Sequence, residues 1–195
     1  KGAASKWPVF ILTIVTFAGT GAASIARFGL PATPLFNGMM VVDDFSLFFN
    51  AFFCVAGALS ILGSFRYLDK ERLQLPEYYL LALFAVSGMM MIVCSLDLIL
   101  VFIALELMSL PVYVMVGFRR ADRRSNEAAM KYFILGSAAS AIMLYGTALL
   151  YGSTQSMNLR EILAFVQAGK SAGNAVFMLG LWLMAVGMLF KVASV

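Results

Sequence analysis

Three ionisable side chains lie inside long apolar segments of this sequence. They are Glu106 in the middle of residues 97–118, Lys131 in the second turn of residues 126–152, and Lys191 in the last apolar segment. Even lenient insertion scales put a charge at the centre of a spanning helix at roughly 2.5–3.5 kcal/mol, so it is retained only with a partner, a cavity or a function. Since the chain has no histidine, proton chemistry here must use carboxylates and lysines.

The composition of the chain indicates an integral membrane protein. Hydrophobic residues make up 62% of the sequence and charged residues only 12%, whereas roughly 25% of a soluble domain is charged. The net charge of +4 arises mostly in the loops, where it argues for an orientation in the bilayer and not for nucleic-acid binding. Cys54 and Cys94 fall inside apolar segments and are interpreted as small packing residues.

The hydropathy pattern predicts an all-α fold with about six transmembrane helices in a single domain covering residues 1–195. The predicted spans are 7–27, 44–66, 76–95, 97–117, 126–152 and 174–195. Proline, glycine and asparagine at 28–43 predict a loop. Apolar residues recur at helical spacing beside polar ones at 158–169, which predicts a short amphipathic helix on the membrane surface. The chain begins without Met and ends inside an apolar segment, so we expect both ends to be cut.

The distribution of Lys and Arg between the loops predicts the orientation. One side carries nine of them, Lys1, Lys6, Arg66, Lys70, Arg72, Arg119, Arg120, Arg123 and Arg124, and the other side carries three, Arg27, Arg160 and Lys170. Positively charged loops are retained in the cytoplasm. We therefore expect loops 66–76 and 118–125 to be cytoplasmic, in a multi-pass protein of a bacterial inner membrane.

Three stretches of the chain resemble a known family. ELMSLPVYVMVGF at 106–118, RRSNEAAMKYFILGSAASAIMLYGTALLYG at 123–152 and GMLFKVASV at 187–195 are similar to subunit N of bacterial NADH-quinone oxidoreductase (respiratory complex I) and its organellar counterparts. The resemblance implies an antiporter-like fold of fourteen helices with two inverted repeats, each with a broken helix. This chain would hold an N-terminal-half fragment, spans two to seven.

The same resemblance implies a proton relay formed by Glu106, Lys131 and Lys191, with Lys191 at the break of its helix. Glu106 and Lys191 would form a charge pair whose separation decides whether Lys191 keeps its proton. At about 7 Å and an effective dielectric near 20 their attraction is roughly 2.4 kcal/mol. The chain would thus act as a translocase subunit, with other membrane-arm subunits and the lipid bilayer as partners. NADH, FMN, iron-sulfur clusters and quinone would bind in other subunits.

Each of these residues also has a structural interpretation. Glu106 could fix helix packing as a buried acid, while Lys131 and Lys191 could reach the membrane interface as simple anchors. The small residues of 136–140 are interpreted as a packing surface. Two other functions therefore remain open beside proton translocation in complex I. They are a related cation/proton antiporter or membrane hydrogenase subunit, and a non-pumping membrane scaffold.

Overall fold

The computed structural model describes residues 6–71 and 73–192. Within these residues the chain forms seven α-helices and one β-hairpin, in the order α1 (Lys6–Ala26), β1 (Thr33–Leu35), β2 (Met40–Val42), α2 (Asp44–Lys70), α3 (Pro76–Cys94), α4 (Leu98–Val116), α5 (Arg123–Thr154), α6 (Leu159–Gln167) and α7 (Ala175–Lys191). Helices α1 to α5 are long and apolar enough to cross a membrane, and α7 is a shorter apolar helix. The predicted all-α membrane architecture is confirmed.

Some predicted bounds differ from the observed ones because charges end an apolar segment without ending the helix. Helix α2 continues four residues beyond the predicted end at 66. Helix α5 begins three residues before 126, where the Asp122 side chain accepts a hydrogen bond from the Arg124 backbone N–H at 2.9 Å. Lys1 and Arg72 of the charge count, and residues 193–195 of the last predicted span, lie outside the described residues.

The segment 28–43, predicted as a loop, contains a short antiparallel hairpin, so that prediction was wrong in part. Strands β1 and β2 pair in the register Thr33 with Val42 and Leu35 with Met40. The turn between them contains Asn37 and Gly38 at φ 55° and 85°, a left-handed conformation that Asn and Gly tolerate best. Strands of three residues are too short to show an alternating pattern, which is why the sequence did not reveal them.

Backbone hydrogen bonds tie three connections together at the hairpin end of the bundle. The Leu96 N–H donates to the Met39 carbonyl at 2.7 Å, and the Leu159 N–H donates to the Leu96 carbonyl at 2.8 Å. At the other end, Arg119 after α4 forms an ion pair with Glu71 after α2, at 2.5 Å. The loops are therefore grouped at the two ends as the alternation of spans requires, while the cytoplasmic assignment of the Arg119 end stays a prediction.

The helices pack as a row in which α1, α2 and α3 share one core and α4, α5 and α7 follow. The buried residues of the first core are Phe17, Cys54, Ile61, Tyr79 and Val86. Helix α3 meets α4 at Gly88, where an added Cβ would lie 2.7 Å from the Ala104 carbonyl. Helix α6 is present at the amphipathic segment, and its position on the membrane surface stays a prediction.

Candidate functional site

Three polar side chains of α4 lie on one face of that helix. Glu106, Ser109 and Tyr113 are spaced i, i+3 and i+7, and residues with this spacing line one side of an α-helix. Asp97 is the N-cap at the start of the same helix and accepts hydrogen bonds from the backbone N–H groups of Ile99 and Leu100, at 2.9 and 3.3 Å. Asp97 is thus occupied as a helix cap, whereas the other three face the neighbouring helices.

Lys191 of α7 is bound by all three polar residues of the α4 face. Its Nζ lies 3.1 Å from Glu106 Oε1, 3.2 Å from Ser109 Oγ and 3.0 Å from Tyr113 OH. An ammonium group has three N–H donors, so these three acceptors account for all of them. The Lys191 side chain is only 6% exposed, and it is therefore held as a buried, fully hydrogen-bonded cation.

Glu106 has a second contact, with helix α5. Ser140 Oγ lies 2.5 Å from the carboxylate oxygen that also binds Lys191, and 2.9 Å from the Gly136 carbonyl. A hydroxyl carries one proton, so Ser140 donates either to the Glu106 carboxylate or to its own helix backbone. Glu106 thus joins α4, α5 and α7 at a single oxygen, and its side chain is 23% exposed.

Tyr113 approaches the backbone of α5 at Gly136. A Cβ added at Gly136 would lie 2.1 Å from the Tyr113 hydroxyl oxygen and 2.6 Å from its ring carbon Cζ. Tyr113 itself is 4% exposed, and its ring packs edge-on against Tyr132 with centroids 4.6 Å apart. Gly136 is therefore the residue that leaves room for the hydroxyl group beside Lys191.

Close backbone packing against α5 positions helix α7 and therefore Lys191. Added Cβ atoms at Gly180 and Gly187 would lie 2.9 Å from the Gly146 carbonyl and 2.8 Å from the Ala139 carbonyl, respectively. Small residues allow two membrane helices to approach this closely. Lys191 lies one turn beyond Gly187, on the same face of α7.

The Lys191 cluster lies level with the middle part of helix α5. Tyr113 contacts both Lys191 and Gly136, and Gly136 is thirteen residues after the start of α5 and eighteen before its end. At 1.5 Å per residue these distances are about 20 and 27 Å. The cluster therefore lies well away from both ends of α5. Helix α7 ends at Lys191 with Val192 as its C-cap, and the proposed break of a longer helix at this point stays a prediction.

The observed 3.1 Å separation of Lys191 Nζ and Glu106 Oε1 is much shorter than the 7 Å assumed for the sequence. At an effective dielectric near 20 it corresponds to an attraction of about 5 kcal/mol. Removing two ions from water costs several kcal/mol each, so buried pairs often contribute little net stability. The pair is consequently poor evidence for a purely stabilising role.

Lys131 is not part of this cluster. Its Nζ binds Glu127 Oε1 at 2.7 Å, one turn earlier in α5, and the two side chains are 71% and 57% exposed. Lys131 lies nine residues before Ser140 on α5, which is about 13 Å along the helix axis. The structure therefore brings two of the three predicted site residues together and leaves the third on the surface.

Sequence reasoning missed Ser109 and Tyr113, and it interpreted Gly136 and Ser140 only as packing residues. A signal was present for the first two, because they share the spacing of one helix face with Glu106. Across the described residues, no group of three or more His, Cys, Asp or Glu side chains could hold a metal ion.

The fold and the site together define a class of protein. Apolar helices of spanning length bring a lysine and a carboxylate into contact within the bundle, and intramembrane charges of this kind commonly mark ion or proton pathways. Residues 95–195 match the family described as NADH:quinone oxidoreductase/Mrp antiporter, TM. The match covers more than half of the chain, which therefore belongs to this family and is a multi-pass membrane protein.

Individual relatives narrow the comparison within the family. The chain is 37% identical over 190 residues to NADH-quinone oxidoreductase subunit N of Trichlorobacter lovleyi. This alignment covers 97% of this chain and 39% of the relative. It is 47% identical over 163 residues to NADH-quinone oxidoreductase subunit N 1 of Koribacter versatilis, and this alignment covers 82% of this chain and 32% of the relative. A chain of respiratory complex I from Thermus thermophilus superposes with a TM-score of 0.77 at 31% identity. The superposition covers 96% of this chain and 39% of that chain.

The chain thus spans between about a third and two fifths of the length of these relatives. The similarity to subunit N predicted from the three sequence stretches is confirmed. The family description and the bacterial relatives also agree with the predicted bacterial inner-membrane location.

Proposed function

We propose that this chain forms part of a proton-translocating, antiporter-like subunit of an NADH-quinone oxidoreductase, in which Lys191 takes up and releases a proton under the control of Glu106. The observation that carries the proposal is the buried contact of Lys191 Nζ with Glu106 Oε1 at 3.1 Å, between α7 and α4. A charged lysine in this position needs its carboxylate, since burial disfavours the ion and a nearby opposite charge favours it.

The distance between the two charges acts as the switch. Lengthening the pair from 3.1 Å to about 7 Å would weaken the attraction between the two charges by about 3 kcal/mol at an effective dielectric near 20. A helix shift of a few ångströms therefore favours release of the proton from Lys191. Protonating Glu106 would also favour proton release from Lys191, because it removes the negative charge beside the ammonium group.

Lys131 is proposed as a further group of the relay. It lies about 13 Å from Ser140 along α5, too far for direct transfer, so a proton passing between Lys131 and the Lys191 cluster must travel over intervening water. The exposed ion pair of Lys131 with Glu127 gives this lysine a carboxylate partner of its own. Lys131 thus repeats, on the surface of α5, the lysine and carboxylate combination of the buried site.

The remaining components are assigned to other parts of the assembly. We place NADH oxidation, FMN, the iron-sulfur clusters and quinone in other subunits, so this chain performs no redox chemistry of its own. Its partners would be membrane-arm subunits of the same complex and the bilayer. Support for this assignment comes from the relatives, which are named as subunit N and as a chain of respiratory complex I.

A related cation/proton antiporter is the second candidate, because the matched family includes Mrp antiporters. The relatives at 37% and 47% identity are both oxidoreductase subunits, which favours the first function. A scaffold without transport activity is the third candidate, and the net energy of a buried ion pair argues against it: a pair that contributes little stability is a costly way to join helices.

The test uses the complete subunit in its assembled oxidoreductase. We expect Glu106→Gln and Lys191→Met each to reduce protons pumped per electron strongly, while Glu106→Asp is milder because it keeps the charge. Lys170→Met is the matched control, because this lysine lies exposed in the connection between α6 and α7. Wild-type stoichiometry in both Glu106→Gln and Lys191→Met would return the pair to a structural role.

A further inference from the structure

The hydroxyl of Tyr113 differs from the other two acceptors of Lys191 in what it can do with its own proton. Ser109 Oγ donates its proton to the Leu105 carbonyl at 2.6 Å, so it could donate to Lys191 only by giving up that hydrogen bond. The Glu106 carboxylate is likewise an acceptor when ionised. For the Tyr113 hydroxyl no other hydrogen-bond partner is found in the described part of the chain, so its proton is free to turn towards Lys191.

We propose that Tyr113 is a positioning residue that hydrogen-bonds Lys191 in both of its protonation states. While Lys191 is charged, the Tyr113 oxygen accepts one of its three N–H bonds, as the 3.0 Å distance allows. Once Lys191 has released its proton, the neutral amine nitrogen has a lone pair, and the Tyr113 O–H donates to it. No bond of Tyr113 is broken in this exchange; only the hydroxyl rotates. The inference rests on the proposed function of Lys191.

The need for such a residue follows from the burial of Lys191. A neutral amine that is 6% exposed cannot obtain a hydrogen bond from water in bulk. Ionised Glu106 has no proton to donate, and Ser109 could donate one only by leaving the Leu105 carbonyl without its hydrogen bond. An unpaired buried polar group is unfavourable. Without the Tyr113 hydroxyl, the neutral state of Lys191 would lose its donor, and the charged state would lose one of its three acceptors.

Gly136 makes this arrangement possible because a side chain there would displace the hydroxyl. The Cβ of an alanine would lie 2.1 Å from the Tyr113 oxygen, well inside contact distance, so either the ring or helix α5 would have to move. The ring cannot turn away easily, since it is buried and packed edge-on against Tyr132. Tyr113 and Gly136 thus act as one unit.

The other groups that face Lys191 are few, which keeps the test simple. Helix α4 presents Glu106 and Tyr113 as titratable groups, while Ser140 and Gly136 of α5 contact Glu106 and Tyr113 and not Lys191 itself. The lysine of α5, Lys131, is bound to Glu127. Across the described residues, Glu106 is the one charged group in contact with the Lys191 ammonium.

The experiment measures pumping per electron and its pH profile in the assembled oxidoreductase carrying Tyr113→Phe. This variant keeps the ring and removes only the hydroxyl. A hydrogen bond to a charged group corresponds to at least about tenfold in an equilibrium, so we expect about a tenfold loss of pumping and a displaced pH profile with unchanged assembly. Tyr132→Phe is the matched control, because it removes a hydroxyl from the neighbouring ring, and it should resemble the wild type.

A double-mutant cycle then tests the link to Gly136. We expect Gly136→Ala to impair pumping in the wild type and to have a smaller effect in the Tyr113→Phe background, since the hydroxyl it displaces is already absent. If Glu106→Gln and Lys191→Met impair pumping while Tyr113→Phe matches Tyr132→Phe in rate and pH profile, the role of Tyr113 is refuted and the proposed function stands. If Glu106→Gln and Lys191→Met also pump normally, the proposed function itself fails.

Discussion

Replacing Glu106 and Lys191 together distinguishes a functional pair from a structural one. Lys191→Met alone leaves the Glu106 carboxylate with the Ser140 hydroxyl as its remaining partner. Removing one member of a buried ion pair typically costs about 3–5 kcal/mol, because the other charge is left uncompensated, whereas replacing both is often neutral. We therefore examine the double variant Glu106→Gln/Lys191→Met beside each single variant.

For the double variant, the structure predicts that stability recovers and that proton pumping does not. In Lys191→Met the Glu106 carboxylate loses its partner at 3.1 Å and is left as an uncompensated charge, which costs about 3–5 kcal/mol. We therefore expect less assembled complex and a lower temperature of thermal inactivation. In the double variant, Gln can still accept the Ser140 hydrogen bond and Met fills the volume of the lysine, so assembly and thermal stability should recover by most of that cost. Pumping should not recover, because no group remains at position 191 to carry a proton.

The assay compares three quantities in one membrane preparation: the amount of assembled complex, its inactivation temperature, and protons pumped per electron in the assembled fraction. Recovery of pumping together with assembly in the double variant would refute the functional role. Failure of assembly to recover would instead show that the energetic account of the pair is wrong.

Two further predictions concern packing and topology. Gly187→Ala places a Cβ 2.5 Å from the Met143 Cβ, and overpacking of this kind costs about 1–3 kcal/mol. The complex with Gly187→Ala should therefore inactivate at a lower temperature than the complex with Gly152→Ala, a change on α5 at a position where nothing lies within 4 Å of the added Cβ. Equal inactivation temperatures would contradict the close contact of α5 and α7. Ala121→Cys, in the exposed loop between α4 and α5, should react with a membrane-impermeant thiol reagent only from the cytoplasmic side, and Lys170→Cys only from the other; the reverse pattern in intact cells would overturn the predicted orientation.

The helices were predictable from the sequence because their signal is one of composition and length. A run of about 20 apolar residues is read without knowledge of the partner helices, and the loops between such runs alternate sides by necessity. Their bounds were less predictable, since Asp122 and Asp97 act as caps and a helix continues past the membrane when its next turn still packs, as the buried Leu68 does at the end of α2.

The site was predictable only in part. Glu106 and Lys191 stand out as charges in apolar segments, but they are 85 residues apart, and nothing in the local pattern places them within 3.1 Å of each other. That contact depends on how closely α7 approaches α5, which is set by glycines such as Gly187. Tyr113 was missed for a similar reason, because an aromatic residue in an apolar helix is ordinary until a glycine on another helix makes room for its hydroxyl.

The packing also indicates which contact around Lys191 is easiest to change. Helices α5 and α7 meet backbone to backbone at Gly146 and Gly187. Separating them would lose the van der Waals contacts that this close approach provides. Lys191, by contrast, reaches α4 through polar side chains whose hydrogen bonds can exchange partners, as Ser140 can between Glu106 and its own backbone. Pro111 lies within the same part of α4 and removes one backbone hydrogen bond there. A change in the distance between Glu106 and Lys191 therefore requires less disruption if α4 moves against an intact α5–α7 pair than if α7 moves alone.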